Sequence, residues 1–189
     1  MTLLPHVHIF HRVGGLCLAF LMFTLLSSSC ASGRGRWLTN GVPVGDEPNT
    51  KALHGFGAQL IIVDDPKAFV EMWDKPDFPH TYTVKQLRRN HQAGAFVLFA
   101  GCTPSSEGKC DVVADYKLLG PNGNVRGESS DSLVWNELAP PKENTQRSLG
   151  ALLIELGTVD PDGTYTVKAV VRDRNAKTAL DLEDTFELR

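Results

Sequence analysis

Only four cysteines occur in 189 residues, too few for a miniature domain held together by disulfides, which packs as many into a far shorter chain. A basic surplus is missing as well. The 19 Lys and Arg stand against 22 Asp and Glu, a formal charge of −3. That balance argues against a dedicated nucleic-acid binder, whose contact face is basic. No apolar run approaches the roughly 20 residues of a membrane-crossing helix. The longest, Leu16–Leu26 (LCLAFLMFTLL), is apolar but for Thr24. With 42% hydrophobic and 22% charged residues, the chain is neither disordered nor of low complexity, and it has the material for one core.

Acid is absent from residues 1–29, which carry one formal cation, Arg12. Small residues follow the apolar run at once, Ser27-Ser28-Ser29-Cys30-Ala31. A short apolar segment with a cationic flank and small residues after it is the pattern of a secretory signal, here residues 1–29. Cys17 leaves with that signal. Cys30 stands alone behind the apolar run and resembles the acylated cysteine of bacterial lipoproteins. In that pattern a Leu usually lies three places before the cysteine. Here Ser27 holds that place, with Leu26 one further back. The alternative is cleavage after Ala31, with Ser29 and Ala31 as the small residues. Residues 30–52, rich in Gly, Pro and Asn, read as a flexible tether. Arg34 and Arg36 are two charges, too few by themselves to define a contact with lipid headgroups, and the segment reads as solvated linker.

From about residue 53 to 189 the chain reads as strands. Tyr165, Val167, Ala169 and Val171 alternate with Thr166, Lys168, Val170 and Arg172. Leu180, Leu182, Phe186 and Leu188 share one face, broken once by Asp184. These are two half-buried strands of a hairpin. Further strands are expected at Phe56–Val63, Ala95–Ala100, Val112–Leu118, Ser132–Trp135 and Ala151–Leu156, with a short one at Tyr82–Val84. One helix interrupts them. Asp65 is a capping carboxylate and Pro66 suits the first helical position, while Phe69, Met72 and Trp73 form one stripe. The spacing predicts a helix over 66–73 that plugs an open end of the domain. The expected fold is mainly β, an immunoglobulin-like or fibronectin-like β-sandwich of seven or eight strands. Tyr165 follows the turn Asp160-Pro161-Asp162-Gly163 and is placed as the corner tyrosine of such sandwiches, its hydroxyl bonded back to nearby backbone. That turn lacks the later ligands of a calcium loop.

Cys102 and Cys110 flank a polar turn between two strands and are expected to pair across a hairpin. The loop is short, and its closure stabilises by about 2–3 kcal/mol. Two cysteines with seven residues between them do not match zinc-ligand spacing. The basic stretch Lys85–His91 reads as a solvated edge.

The segments GFGAQLIIVDD, MWDKP, FVLFAGC, GKCDVVADY, LVWNELAPP and DGTYTVKAVVRDR together resemble a group of small exported bacterial proteins. The similarity runs over roughly residues 55–189. It implies an exported immunoglobulin-like sandwich, with no assigned activity and no catalytic residue to carry over.

Chemistry is sparsely signalled. Ser129 and Ser130 lie in a polar segment without the glycine frame of a nucleophile elbow. No catalytic residue, cofactor or metal ligand is assigned. The function expected is a non-catalytic binding or assembly module of the bacterial envelope that docks onto another envelope protein. It would be membrane-tethered by a lipid on Cys30, with no nucleic-acid partner. Ala31 and Ser32, rather than Asp, follow the cysteine, which by the lipoprotein resemblance directs it to the outer membrane. The alternative location is the periplasm or the medium. The alternative function is a metal-handling or hydrolytic protein whose site gathers His54, His80 and His91. Convergent histidines would favour that alternative, and an exposed apolar patch with Trp135 or Phe78 the binding module.

Overall fold

A computed structural model describes residues 46–73, 75 and 83–189, and the backbone of 37–39 and 42–44. Cys17, Cys30, Phe78, His80 and Tyr82 lie outside the described residues, as do the signal segment, Arg34 and Arg36. In chain order the elements are β1 (Trp37–Thr39), β2 (Val42–Val44), β3 (Thr50–Leu53), β4 (Phe56–Val63), α1 (Pro66–Trp73), β5 (Gln86–Leu87) and β6 (Gln92–Ala100). They continue with β7 (Val112–Leu119), β8 (Val125–Trp135), β9 (Gln146–Arg147), β10 (Leu152–Glu155), β11 (Gly163–Asp173) and β12 (Thr178–Leu188).

The chain is an immunoglobulin-like β-sandwich. One sheet runs β10-β6-β4-β3 with β9 also on β6, and the other runs β5-β12-β11-β7-β8. Among the described residues that makes two five-stranded sheets, more strands than the alternation alone implies. All ladders are antiparallel except β5 on β12. Period-two burial builds the core. Tyr165, Val167, Ala169 and Val171 of β11 and Leu180, Leu182, Phe186 and Leu188 of β12 are buried, facing Phe56, Leu60, Ile62, Val97 and Phe99 of the opposite sheet.

β4 and β6 are buried on both faces. Their outward residues Ile61, Val63, Phe96 and Leu98 form a second cluster under Phe69 of α1. This is why Ala95–Ala100 reads as a continuous apolar run rather than an alternating one. The helix spans 66–73 as its signals require: the Asp65 carboxylate accepts the Ala68 amide at 2.8 Å. It does not plug an end of the sandwich. It lies over the outer face of the β4–β6 pair, with the Phe69 ring 4.9 Å from Phe96 and 5.8 Å from Trp73. The apolar surface nearest to a helix leaving the end of β4 is that outer face. Burying a side chain the size of Phe69 there contributes about 2–3 kcal/mol.

Cys102 and Cys110 are joined, with Cα atoms 6.0 Å apart and both residues buried. They do not face each other across a ladder. β6 and β7 belong to different sheets, because both flanks of β6 are taken by β4 and by β9 and β10, and both flanks of β7 by β8 and β11. The disulfide therefore closes an arch that crosses from one sheet to the other. Gly101 starts that arch at φ +73°, and a Cβ there would stand 2.0 Å from the Gly55 carbonyl oxygen. Asp173 and Asn175 dock the arch onto the β11–β12 turn. The Thr103 amide donates to Asp173 at 2.7 Å, and the Asn175 side-chain amide donates to the carbonyls of Thr103 and Lys109.

The two long sides of the sandwich are bridged as well. On one, Val84 N–H bonds Ile62 while β5 pairs with the end of β12. On the other, the amides of Leu149 and Gly150 donate to Val134 and Leu133 of β8. The segment 30–52 is not a tether throughout. Asn49 and Thr50 are bonded to β4, Pro48 O accepts from Glu183 N–H, and β1 pairs with β2.

Candidate functional site

The structure separates two of the three histidines. His54 sits in the β3–β4 turn at φ 52°, exposed. His91 immediately precedes β6, also exposed. In the β4–β6 ladder Gly57 faces Ala100 and Val63 faces Gly94, so the two histidines lie at opposite ends of one sheet. At about 3.3 Å per residue that is a separation of about 30 Å, and they do not share a site. Among the described residues, no three His, Cys, Asp or Glu side chains converge to hold a metal ion.

The charged residues form three knots. The first is at Asp184, the residue that breaks the apolar face of β12. Buried, it accepts from Thr83 Oγ1 at 2.7 Å, from the Thr185 amide at 2.8 Å and from the Lys85 ammonium. The second is the corner. Tyr165 is buried, stacks on Phe186 at 5.4 Å and donates its hydroxyl to Pro161 O at 2.9 Å. Burial and the nearby Asp160 carboxylate raise that phenol above its ordinary pKa. Arg89 donates to the carbonyls of Gly157 and Asp160 and to the Asp162 carboxylate, while Arg126 pairs with Asp160. Asp160 and Asp162, suggestive of a calcium loop in sequence, are thus held by two guanidinium groups. Arg89, part of the basic stretch, is consumed in the fold.

The third knot lies on the outer face of the β7–β11 pair. Arg172 pairs with Asp115 and with Asp131, and Arg174 pairs with Asp131 at 2.7 Å. The Asp131 backbone N–H also donates to Asp115 at 2.8 Å. The Arg172 hydrogen bond, then that amide, hold the Asp115 carboxyl down to about 2. Its partner Arg172 is shifted upward. In the core, burial pushes the Tyr116 phenol up, with Ser148 beside it opposing the shift. Ser129 is engaged by Ser132 Oγ at 2.7 Å. Trp135 packs on Phe99 at 5.6 Å and donates its indole N–H to Leu138 O, so it anchors a loop rather than forming an open patch.

One surface is differently made. Between α1 and β10 runs an open groove of about 640 Å³. Val70, Phe96, Leu149, Ala151 and Leu153 line it, with Lys67, Glu71 and Arg147 at its margins. Leu153 is 59% and Leu149 40% exposed. β10 ends its sheet, so among the described residues the outer edge of Leu152–Glu155 carries no further strand. An open edge presents backbone N–H and C=O groups to an incoming strand. The edge of β8 is the contrast. It is polar, contains Gly127, Glu128 and Asp131, and its pairing with β7 shifts register three times, devices that discourage strand addition. The groove is missed by reading ALLIEL only as a strand. The available signal was that successive Leu152 and Leu153 cannot both face the core.

No protein-family model and no curated protein matches the chain. Among solved structures it is distantly similar to a family 123 glycoside hydrolase from Clostridium perfringens, 11% identical over 70% of this chain at a TM-score of 0.39. It is also distantly similar to a Niemann-Pick type C2 protein from Japanese carpenter ant, 8% identical over 69% of this chain at a TM-score of 0.37. The chain spans 27% of the length of the first and 89% of the second. Neither likeness bears on chemistry.

Proposed function

We propose that the protein is a non-catalytic binding or assembly module of the bacterial cell envelope, held at the outer membrane by acylation of Cys30. Its partner is another envelope protein, which contributes an extended, partly apolar segment to the groove between α1 and β10. The observation that carries this reading is the pairing of an open strand edge at Leu152–Glu155 with the exposed Leu149 and Leu153 beside it. Backbone groups on the edge supply affinity for any strand, and the apolar lining selects side chains of one face.

A photo-reactive residue placed at Leu153 tests it in living cells, with Thr166 on the outer face of the other sheet as control. The expected result is one partner, crosslinked from position 153 and absent from 166, and lost when Leu149→Asp is added. Equal crosslinking from both positions, or none from 153, overturns the groove as the contact.

A further inference from the structure

We propose that the β9–β10 edge pairs with the same edge of a second copy of this chain, antiparallel about a two-fold axis. In doing so it covers the groove until the partner displaces it, a role that rests on the reading of that groove as the partner's site. The outer-face residues from β9 to β10 follow one another as Arg147, Leu149, Ala151, Leu153 and Glu155. The first four line the groove, and Glu155 shares the face of Leu153 by period-two alternation. Read from either end with the charges exchanged, the order is the same. A two-fold contact demands this kind of self-complementarity, because residue i meets j and j meets i. Glu155 is exposed and forms no ion pair among the described residues.

The register agrees. On β6, Arg147 stands opposite Leu98 and Glu155 opposite Gln92, three residues to either side of Ala95. At about 3.3 Å per residue the two charges are about 20 Å apart along the edge. A two-fold axis level with Ala95 therefore sets each Arg147 against the second copy's Glu155. Leu153, opposite Gly94, then meets the Leu149–Ala151 stretch of the second copy. The backbone groups needed at the two ends are turned outward. Val97 directs its N–H and C=O to Ser148, and Leu156 O accepts from the Asn90 amide. Alternate residues of an antiparallel pair face the same neighbour. Ser148, Leu152 and Ile154 therefore face β6, while Arg147, Leu153 and Glu155 turn their N–H and C=O away from it. At the centre the Leu149 and Gly150 amides are bonded to β8, so that stretch contributes side chains and not a ladder. Opposite charges set across from each other stabilise such a pair, and like charges oppose it.

The test uses the full chain purified from expressing cells in one neutral detergent, its mass followed by sedimentation equilibrium. Wild type is expected to be a concentration-dependent dimer. Arg147→Glu and Glu155→Arg each set like charges together twice, and each is expected to weaken association about tenfold or more. Mixing the two single variants is expected to restore a dimer, because both facing pairs are then opposite in sign. A wild type that stays monomeric at every concentration, or a mixture that associates no better than its components, overturns the proposal. Each variant is first checked for wild-type thermal unfolding. Should Arg147→Glu fail to fold, a photo-reactive residue at Leu153 of the otherwise unchanged chain decides. Its expected product has twice the chain mass and joins the peptide that carries Leu149 and Ala151, and a doubled product joined elsewhere overturns the two-fold register. A monomeric purified chain that still captures another envelope protein from position 153 overturns self-association and leaves the partner reading standing. A dimer whose position 153 captures only a second copy in cells overturns the partner reading and leaves the two-fold contact standing.

Discussion

The Thr83 hydroxyl donates to the Asp184 carboxylate at 2.7 Å while accepting the Ile62 amide at 3.0 Å. Ile62 belongs to β4 and Asp184 to β12, so one hydroxyl links strands of the two sheets. A lone acid on an apolar strand face looks like a fault in the alternation. Here it is a buried acceptor whose oxygens are matched by Thr83, Lys85 and the Thr185 amide. Removing one side of such an arrangement leaves the other buried and unsatisfied. Asp184→Ala is expected to lower stability by about 3 kcal/mol and Thr83→Val by about 1–2 kcal/mol. The two losses should be less than additive, as measured by urea unfolding of the single and double variants.

Reduction of Cys102–Cys110 releases a loop of sequence separation 8, and by loop-closure entropy costs about 2.5 kcal/mol. Both cysteines are only 3% exposed, so thiol reductant in native buffer should act at the rate of local opening and accelerate sharply when denaturant is added. Rapid reduction under native conditions would mean that the arch does not shield the sulfurs.

Asp115, with a folded pKa near 2 against an ordinary 3.8, ties part of the stability to acidity. Because the folded value is the lower one, its contribution is complete above about pH 4 and is lost as pH falls toward 2. Its side chain is 36% exposed, and solvent screening holds the contribution to about 1 kcal/mol or less. Asp115→Asn should therefore melt lower than wild type at pH 7. The gap in Tm should narrow progressively between pH 4 and pH 2, and shrink in high salt at pH 7.

Tyr165→Phe deletes the bond to Pro161 O and keeps the ring stacked on Phe186. The expected loss is about 1–2 kcal/mol, with an unchanged dependence on denaturant. A neutral result would assign the corner to Arg89 and Arg126 in place of the tyrosine.

Local chemistry was legible wherever neighbours in sequence decide it. Asp65-Pro66 and the Phe69–Trp73 stripe define α1 to its terminal residues, and the alternation from Tyr165 and from Leu180 defines the β11–β12 hairpin. Sheet membership was not legible. A polar turn between two apolar strands looks the same whether the strands pair or part, so the Cys102–Cys110 arch reads as a hairpin. The position of α1 was hidden for a related reason: it depends on which face of β4 and β6 stays uncovered. The strand at Val125–Trp135 is legible only at its Ser132–Trp135 end, because an edge strand facing water has no apolar alternation. His54 and His91 could be imagined together until the length of β6 set them apart. The groove beside β10 depends on what a sheet leaves unpaired, which no single segment records.

The position of β12 bears on how the chain is made. Among the described residues it follows every other strand, yet it pairs along its whole length with β11 and supplies Leu180, Leu182, Phe186 and Leu188 to the core. A chain emerging N-terminus first, from a ribosome or a translocation pore, therefore holds an unfinished core until β12 is out. Until then it remains threadable.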